Sequence, residues 1–463
     1  MLLPRAEVNR QGPIEMSIPS EPGGPVRVLV LGGGFAGVHA AWHLQRLRRK
    51  SSRPIEITLV NRDNYFLMTP LLFEAGSGVL EPRHAVQPIR TLLRHCRFVE
   101  ADVEHIDVDQ QCVLVRHAPG FDPWELRYDH LVVAMGGVTN TAIIPGSEKA
   151  MTFKTLADAI YLRNHIIDLF ERADVDVDAE RRDALLRFVI IGAGLVGVEL
   201  MGVLTEFVDQ LSRSYPRVER RHISFHLLEA GPKILPEMER DLADYAAERL
   251  RKRGVDVRVD SPARAIDENA VHLPDGTQLT AATIVLAAGV AVNPLVRALP
   301  LEKDRKGRIQ TDSAMLARGR TTVWALGDCA SIPDPEGKPY PQLAQHALRE
   351  ARVVAQNIVA AVNGRPTKPF VYNTLGTLAA LGHYDGVGRV WKFKIRGFVA
   401  WFAWRTYYLF QMPRWERRIR IMMDWTVSLL FKNDVVKLDL FGQEHPLRAH
   451  DLRPHKAREQ EAA

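Results

Sequence analysis

Cysteine is scarce: Cys96, Cys112 and Cys329 are the only three in 463 residues, with no CxxC pair and no zinc or iron–sulfur spacing. Disulfide scaffolds and cysteine-held metals are excluded on that ground. The sixteen histidines form no HExxH or comparable pattern, so no metal is expected. No uninterrupted apolar run reaches the roughly 18 residues a spanning helix needs, which excludes an integral multispan protein. The opening MLLPRAEVNRQGPIEMSIPSEPGG lacks a basic-then-apolar order and carries Glu7, Glu15 and Glu21, so a mobile intracellular tail is expected there rather than a targeting peptide. At 46% hydrophobic and 25% charged residues the disordered and fibrous classes are excluded too, and the length implies about three domains.

What is present is a local excess of charge. From Trp391 to Lys432 nine basic residues (Lys392, Lys394, Arg396, Arg405, Arg414, Arg417, Arg418, Arg420, Lys432) face only Glu416 and Asp424, a local +7 against +6 for the whole chain. Five of the eight tryptophans (Trp391, Trp401, Trp404, Trp415, Trp425) share this stretch, and basic plus aromatic plus aliphatic points to a membrane surface rather than nucleic acid. Gly397 to Gln411 reads as an apolar helix too short to span a bilayer, and Pro413 ends it. A second helix puts Trp415, Ile419, Met422, Thr426, Leu429 and Leu430 on one face and Arg414, Arg417 and Arg418 on the other. A homodimer interface, or a helical pair covering another domain, is the alternative use of these helices.

The chain repeats one pattern. VRVLVLGGGFAGVHAAWHL (Val26 to Leu44) and RFVIIGAGLVGVELMGVL (Arg187 to Leu204) are each an aliphatic strand, GxGxxG and a helix. Gly32, Gly34 and Gly37, and then Gly192, Gly194 and Gly197, supply a tight turn, close approach to a pyrophosphate and helix-on-strand packing, with the helix N-terminus giving positive potential. The strand after the second turn ends in Glu229, whose carboxylate suits ribose hydroxyls and repels a 2′-phosphate, favouring NADH over NADPH. The strand after the first ends in Asn61, where an acid is usual. Further strand ends carry Gly136, Gly289 and Asp328; Asp328 suits a ribityl or ribose hydroxyl, or else caps a helix.

GGGFAG (Gly32 to Gly37), NYFLMTPLLFEAGSG, FKTLADAIYLRN, GAGLVGVELMG, LLEAGPKILP, ALGDCA, AQHALREA and the aromatic-basic tail together resemble the two-dinucleotide-binding-domain flavoproteins, and within them the type II NADH dehydrogenases. The resemblance implies an α/β fold with two Rossmann-like domains, the NADH domain inserted in the FAD domain, plus a C-terminal amphipathic membrane-docking segment. The expected boundaries are tails at 1–25 and 451–463, an FAD-binding domain at 26–152 and 290–373, an NADH-binding domain at 153–289 and a docking region at 374–450. The polar segment Glu171 to Asp183 is expected as a solvated helix or loop between domains.

FAD is expected on Gly32, Gly34, Phe35, Ala36, Gly37, Asn61, Arg62, Thr69, Gly136, Asp328, Ala344 and Gln345, and NADH on Gly192, Gly194, Gly197, Glu199, Glu229 and Gly289. The resemblance makes Glu199, Gln345 and Arg349 the catalytic candidates. Glu199 binds NADH or relays protons to quinone; its alternative is a first-turn Glu favoured by the helix dipole. Gln345 matches one glutamine lining the family's quinone tunnel, whereas Arg349 replaces the second, and the alternative for Arg349 is a surface side chain paired with Glu350 or a phosphate. No redox cysteine pair is available for disulfide-reductase chemistry. The implied activity is non-proton-pumping NADH:quinone oxidoreduction on the cytoplasmic face of the cell membrane. The rivals are a reductase with a non-quinone acceptor and a redox-sensing interaction protein.

Overall fold

The structure, a computed structural model, describes residues 24–432 and 434–437. The expected tails fall outside the described residues, apart from Gly24 and Pro25, as does 438–450 of the docking region. Two compact units are present, one from 24–66, 88–137 and 292–373, the other from 67–87, 138–291 and the described residues after 373.

The first unit is built on five parallel strands in the order Val323–Ala325, His130–Val133, Val26–Leu31, Ile55–Asn61, Arg97–Glu100. Val28 to Leu31 are at most 2% exposed, the continuous apolar run of a parallel strand covered on both faces. Helices Phe35–Leu47 and Ala344–Val362 pack against each other, with Ala40, Ala41, Leu44, Ala351, Val354 and Ala355 fully buried.

In the second unit four parallel strands run Val255–Arg258, Ser224–Leu228, Arg187–Ile191, Thr283–Leu286, repeating the order of the first sheet around its own glycine turn. Helix Leu156–Val175 starts at a capping box: Asp158 N–H donates to Thr155 Oγ1, and Thr155 N–H donates to the Asp158 carboxylate. The polar segment Glu171 to Asp183 is not a linker between units. It is the end of this helix and part of a second, Ala179–Leu185, capped by Asp178, all inside the second unit.

A three-stranded antiparallel sheet (Gly376–Ala380, Gly386–Val390, Phe393–Arg396) lies against helix Leu195–Ser212. Gly202 permits this contact, since a Cβ there would lie 2.5 Å from the Leu381 carbonyl carbon. The C-terminal helices are Gly397–Gln411 and Trp415–Leu430, and among the described residues no helix is long and apolar enough to cross a membrane.

Candidate active site

In each nucleotide turn three glycines have three separable tasks. Gly32 and Gly192 sit at φ +106° and +101°, and a Cβ on them would meet Ala134 O at 2.3 Å or Ala287 O at 2.7 Å, so both conformation and space require glycine. Gly37 and Gly197 face the turn itself: a Cβ would strike the carbonyl oxygen of Gly32 or Gly192 at 1.9 Å. Among the described residues Gly34 has nothing within 4 Å of its Cβ position and Gly194 has only Glu237 Oε1 at 3.6 Å, so here glycine keeps a space open. The helices that follow have no side-chain cap, leaving their first N–H groups to an anion. Both turns are cradles that a side chain would fill, and both fit a dinucleotide pyrophosphate. Gly136 and Gly289, at φ +60° and +86°, are likewise open around their Cβ positions.

Asn61 and Glu229 do the same local work. Gly33 N–H donates to Asn61 Oδ1 at 2.7 Å, and in the second turn Ala193 N–H donates to Glu229 Oε2 at 2.8 Å. Asn61 Nδ2 is held by Asp63 O, while Glu229 Oε1 accepts from Gly231 N–H. A carboxylate offers about four acceptor sites, so Glu229 retains capacity for ribose hydroxyls after tying the turn. With Asn61 the turn is kept and acceptor capacity is what shrinks.

Phe35 packs edge-to-face on Phe66 at 5.1 Å, Ala36 is buried, and Arg62 is exposed, 3.9 Å from the Asp63 carboxylate. Thr69 is exposed on a 3-10 turn, Thr69–Leu71, in the second unit, whereas the other expected FAD residues lie in the first. Asp328 is not a helix cap: it is the middle residue of a 3-10 turn, Gly327–Cys329, preceded by Leu326. Gln342 Nε2 donates to Asp328 O at 2.7 Å and Gly327 N–H donates to the Glu350 carboxylate at 2.8 Å. Burial pushes the Cys96 and Cys329 thiols up to about 12, so neither is a thiolate nucleophile at neutral pH.

Ala344 opens helix Ala344–Val362, which also lacks a side-chain cap. Tyr372 Oη donates to Gln345 Oε1 at 3.0 Å. Arg349 does not pair with Glu350, whose carboxylate is buried and turned to Gly327 N–H; its guanidinium donates to Gln345 O at 2.8 Å and stacks 4.5 Å over the Tyr372 ring. Arg349 and Gln345 thus share one aromatic partner.

Glu199 is the fifth residue of helix Leu195–Ser212, past the first turn, and is 7% exposed. Ala380 N–H donates to its Oε1 at 3.0 Å, a contact that Gly202 makes possible one turn later. Burial raises its carboxyl to about 8, against the opposing pull of Ala380 N–H and the nearby Trp404 indole. A dipole-stabilised first-turn carboxylate would shift the other way, so burial and not the helix end governs this group.

Sequence reasoning missed a buried ionic cluster beside it. Arg405 Nε donates to Glu74 Oε1 at 2.9 Å, the Trp425 indole N–H donates to Glu74 Oε2, and the guanidinium lies 4.3 Å from the Trp401 ring and 4.7 Å from that of Trp425. All four side chains are buried. The signal was available: a Glu within an apolar segment, and an Arg four residues after a Trp inside an apolar helix.

The comparisons agree with this geometry. Residues 26–351 match the pyridine nucleotide-disulphide oxidoreductase family, and residues 374–434 match the NDH2 C-terminal domain. The chain is 33% identical over 417 residues to a probable NADH dehydrogenase of Dictyostelium discoideum, covering 88% of this chain and 90% of that protein. It is 32% identical over 423 residues to the type II NADH:quinone oxidoreductase Ndh of Mycobacterium tuberculosis, covering 87% and 88%. The solved structure of NDH2 from Plasmodium falciparum in complex with NADH shares the fold, with TM-score 0.82 at 18% identity over 89% of this chain and 100% of that one. On the family match and on these relatives, the chain belongs to the pyridine nucleotide-disulphide oxidoreductases and, within them, to the type II NADH:quinone oxidoreductases.

Proposed function

We propose that this protein oxidises NADH and reduces a membrane quinone through FAD, without pumping protons. The observation that carries the reading is the pair of open, uncapped glycine cradles, ending on Asn61 and on Glu229, in a chain whose described cysteines are isolated and whose Cys96 and Cys329 thiols stay protonated. FAD belongs in the Gly32–Gly37 cradle with Asn61, Gly136 and Asp328; NADH belongs in the Gly192–Gly197 cradle with Glu229 and Gly289. The domain boundaries at 26–152 with 290–373, 153–289 and 374–450 are part of this reading. When bound, FAD supplies hydride acceptance and onward transfer of two electrons. The chain does the rest. The uncapped N-terminus at Ala344 and Gln345 offers N–H groups to negative charge, Gln345 and Arg349 offer donors to a quinone oxygen, and Glu199 holds a proton at its carboxyl at neutral pH. An anaerobic titration tests this: a flavin spectrum that NADH bleaches and a short-chain quinone restores is expected. A purified protein with no flavin, or one that NADH leaves unchanged, overturns it.

NADH should exceed NADPH in kcat/KM by at least about tenfold, because a carboxylate set against a 2′-phosphate is a like-charge pair. Glu229→Gln should narrow that gap, as paired steady-state assays would show; equal wild-type values for the two nucleotides would remove Glu229 from the ribose site.

The C-terminal helices favour a lipid-borne acceptor over a soluble one. On the second, Trp415, Met422, Met423, Leu429 and Leu430 are 43–75% exposed, while Ile421 and Trp425 face inward. On the first, Phe398, Phe402 and Phe410 are more than half exposed. The arginines between them are tied to the protein: Arg418 donates to Met412 O and Phe410 O, and Arg417 to Arg83 O. This apolar face is the proposed seat on the cytoplasmic face of the cell membrane, and no nucleic acid is implied. Replacing Trp415, Met422 and Leu430 together by Ser should abolish co-flotation with anionic liposomes while NADH-to-ferricyanide activity persists. A triple variant that still floats, or a wild type that never does, would assign this face to another use such as a second copy of the chain.

A further inference from the structure

Helix Ala344–Val362 of the first unit carries a buried carboxyl, Glu350, to which the chemistry described so far gives no task. Glu350 is the seventh residue of the helix and 3% exposed, on the face that also buries Ala347, Ala351 and Val354. Its Oε2 accepts from Gly327 N–H at 2.8 Å. Gly327 is wedged at φ +72°, where a Cβ would stand 3.1 Å from that of Ala36, so the turn presenting this N–H is held in place. Gly327 and Asp328 share a peptide bond, which anchors the carboxylate one residue from the side chain proposed to hold FAD. Glu350 and Asp328 also line one small cavity with Tyr340, Pro341 and Gln342, the last two of which are exposed, so solvent reaches the mouth of this cavity.

Among the described residues no cation pairs with Glu350, and the charge that acts on it, that of Asp328, has the same sign. The other titratable groups on the elements packed around it are engaged elsewhere. On its own helix Arg349 lies over Tyr372, His346 packs against Tyr340, and Arg352 is exposed and acts on His43. On helix Phe35–Leu47, His39 Nδ1 lies 2.9 Å from Phe35 O and Arg46 sits over Trp42. Burial therefore raises the Glu350 carboxyl to about 7, against the pull of Gly327 N–H. A hydride brings two electrons and one proton, so its arrival adds one negative charge to a cofactor held at this turn. We propose that Glu350 takes up one proton from solvent when the flavin is reduced and releases it on reoxidation, so that the turn receives the hydride without a net change of charge. The step balances: carboxylate plus H⁺ gives carboxyl, one charge neutralised for one charge added. The inference rests on the placement of FAD at Asp328 and adds to it a residue that sets the flavin potential. Glu350 is a positioning residue, acting through its charge and through Gly327; the structure gives it no place at the reacting atoms.

Redox titration of the purified flavoprotein at an electrode, between about pH 5 and about pH 9, tests this with neither NADH nor quinone present. Each proton bound per two electrons steepens the fall of potential with pH by about 30 mV per unit. Well below 7 the carboxyl is protonated in both oxidation states and adds nothing; above 7 the wild type should gain this extra slope. Glu350→Gln keeps an acceptor for Gly327 N–H and has no proton to gain. Its potential should match the wild type at acid pH and stand above it at alkaline pH, by about 30 mV for every tenfold by which reduction tightens proton binding at Glu350. The reduced-minus-oxidised infrared spectrum at alkaline pH should show a carboxyl C=O band in the wild type and none in Glu350→Gln. A Glu350 that only braces the turn would alter flavin retention without separating the two pH curves. Parallel curves with no such band overturn the proposal. Should Glu350→Gln lose its flavin, the band decides alone, recorded in Glu199→Gln to remove the other raised carboxyl: its appearance on reduction supports the proposal and its absence overturns it. If the flavin titrates at the electrode but NADH or quinone does not act on it, the functional reading falls and the role of Glu350 stands; if the protein holds no flavin, both fall.

Discussion

Arg405→Met is expected to cost about 3–5 kcal/mol, because it leaves the Glu74 carboxylate buried without its cation. Both partners are about nine-tenths removed from solvent, so little water is available to compensate, and the guanidinium also loses its seat between the Trp401 and Trp425 rings. Against a typical total of roughly 5–15 kcal/mol this is a large fraction, visible as a fall in the urea midpoint. The double variant Glu74→Gln with Arg405→Met should recover most of the loss, since replacing both members of a buried pair is often close to neutral. A single variant as stable as the wild type would mean that the pair does not hold the helix Gly397–Gln411 in place. The cluster gives the apolar C-terminal helices one fixed attachment to helix Leu72–Ser77 and so sets which of their faces is left outside.

Glu199→Gln should reduce NADH-to-quinone turnover by about 10²-fold, the lower end of what a positioned acid or base contributes, while sparing electron transfer to ferricyanide. The substitution is conservative in shape and, at neutral pH, in charge: the native carboxyl is already protonated, and Gln Oε1 can still accept from Ala380 N–H. The sign of its stability effect follows from the raised value. The folded form binds a proton between the ordinary 4.5 and about 8 that the unfolded chain releases, so this group's contribution is complete below 4.5 and is lost as pH rises through 8. Relative to Glu199→Gln, the wild type should therefore weaken as pH rises across that window. Parallel slopes of Tm against pH in the two proteins, or undiminished quinone turnover, would make Glu199 a packing residue.

The glycine turns, the strands leading into them and the two C-terminal helices were legible because each rests on local rules: aliphatic runs, glycine spacing and helical periodicity. The place of Glu229 was legible for the same reason, as the residue directly after a strand beside such a turn. The parts that were not legible depend on contacts far apart in sequence. Glu74 meets Arg405 across 331 positions and Glu199 meets Ala380 across 181; a charged residue inside an apolar segment is visible locally, but its partner is not. Arg405 counted only as one of nine basic residues in the stretch from Trp391 to Lys432, because sequence gives its charge but not its partner. Arg349 showed a departure from the family pattern, yet only the Tyr372 ring beneath it shows how that charge is seated.

Steady-state oxidation of NADH by the purified full-length protein, with a short-chain quinone compared against oxygen and ferricyanide, tests the central claim most directly. Rapid turnover with quinone, well above that with oxygen, is the predicted result. Slow turnover indifferent to the acceptor, or a stable NADH complex that passes no electrons to quinone, would contradict it.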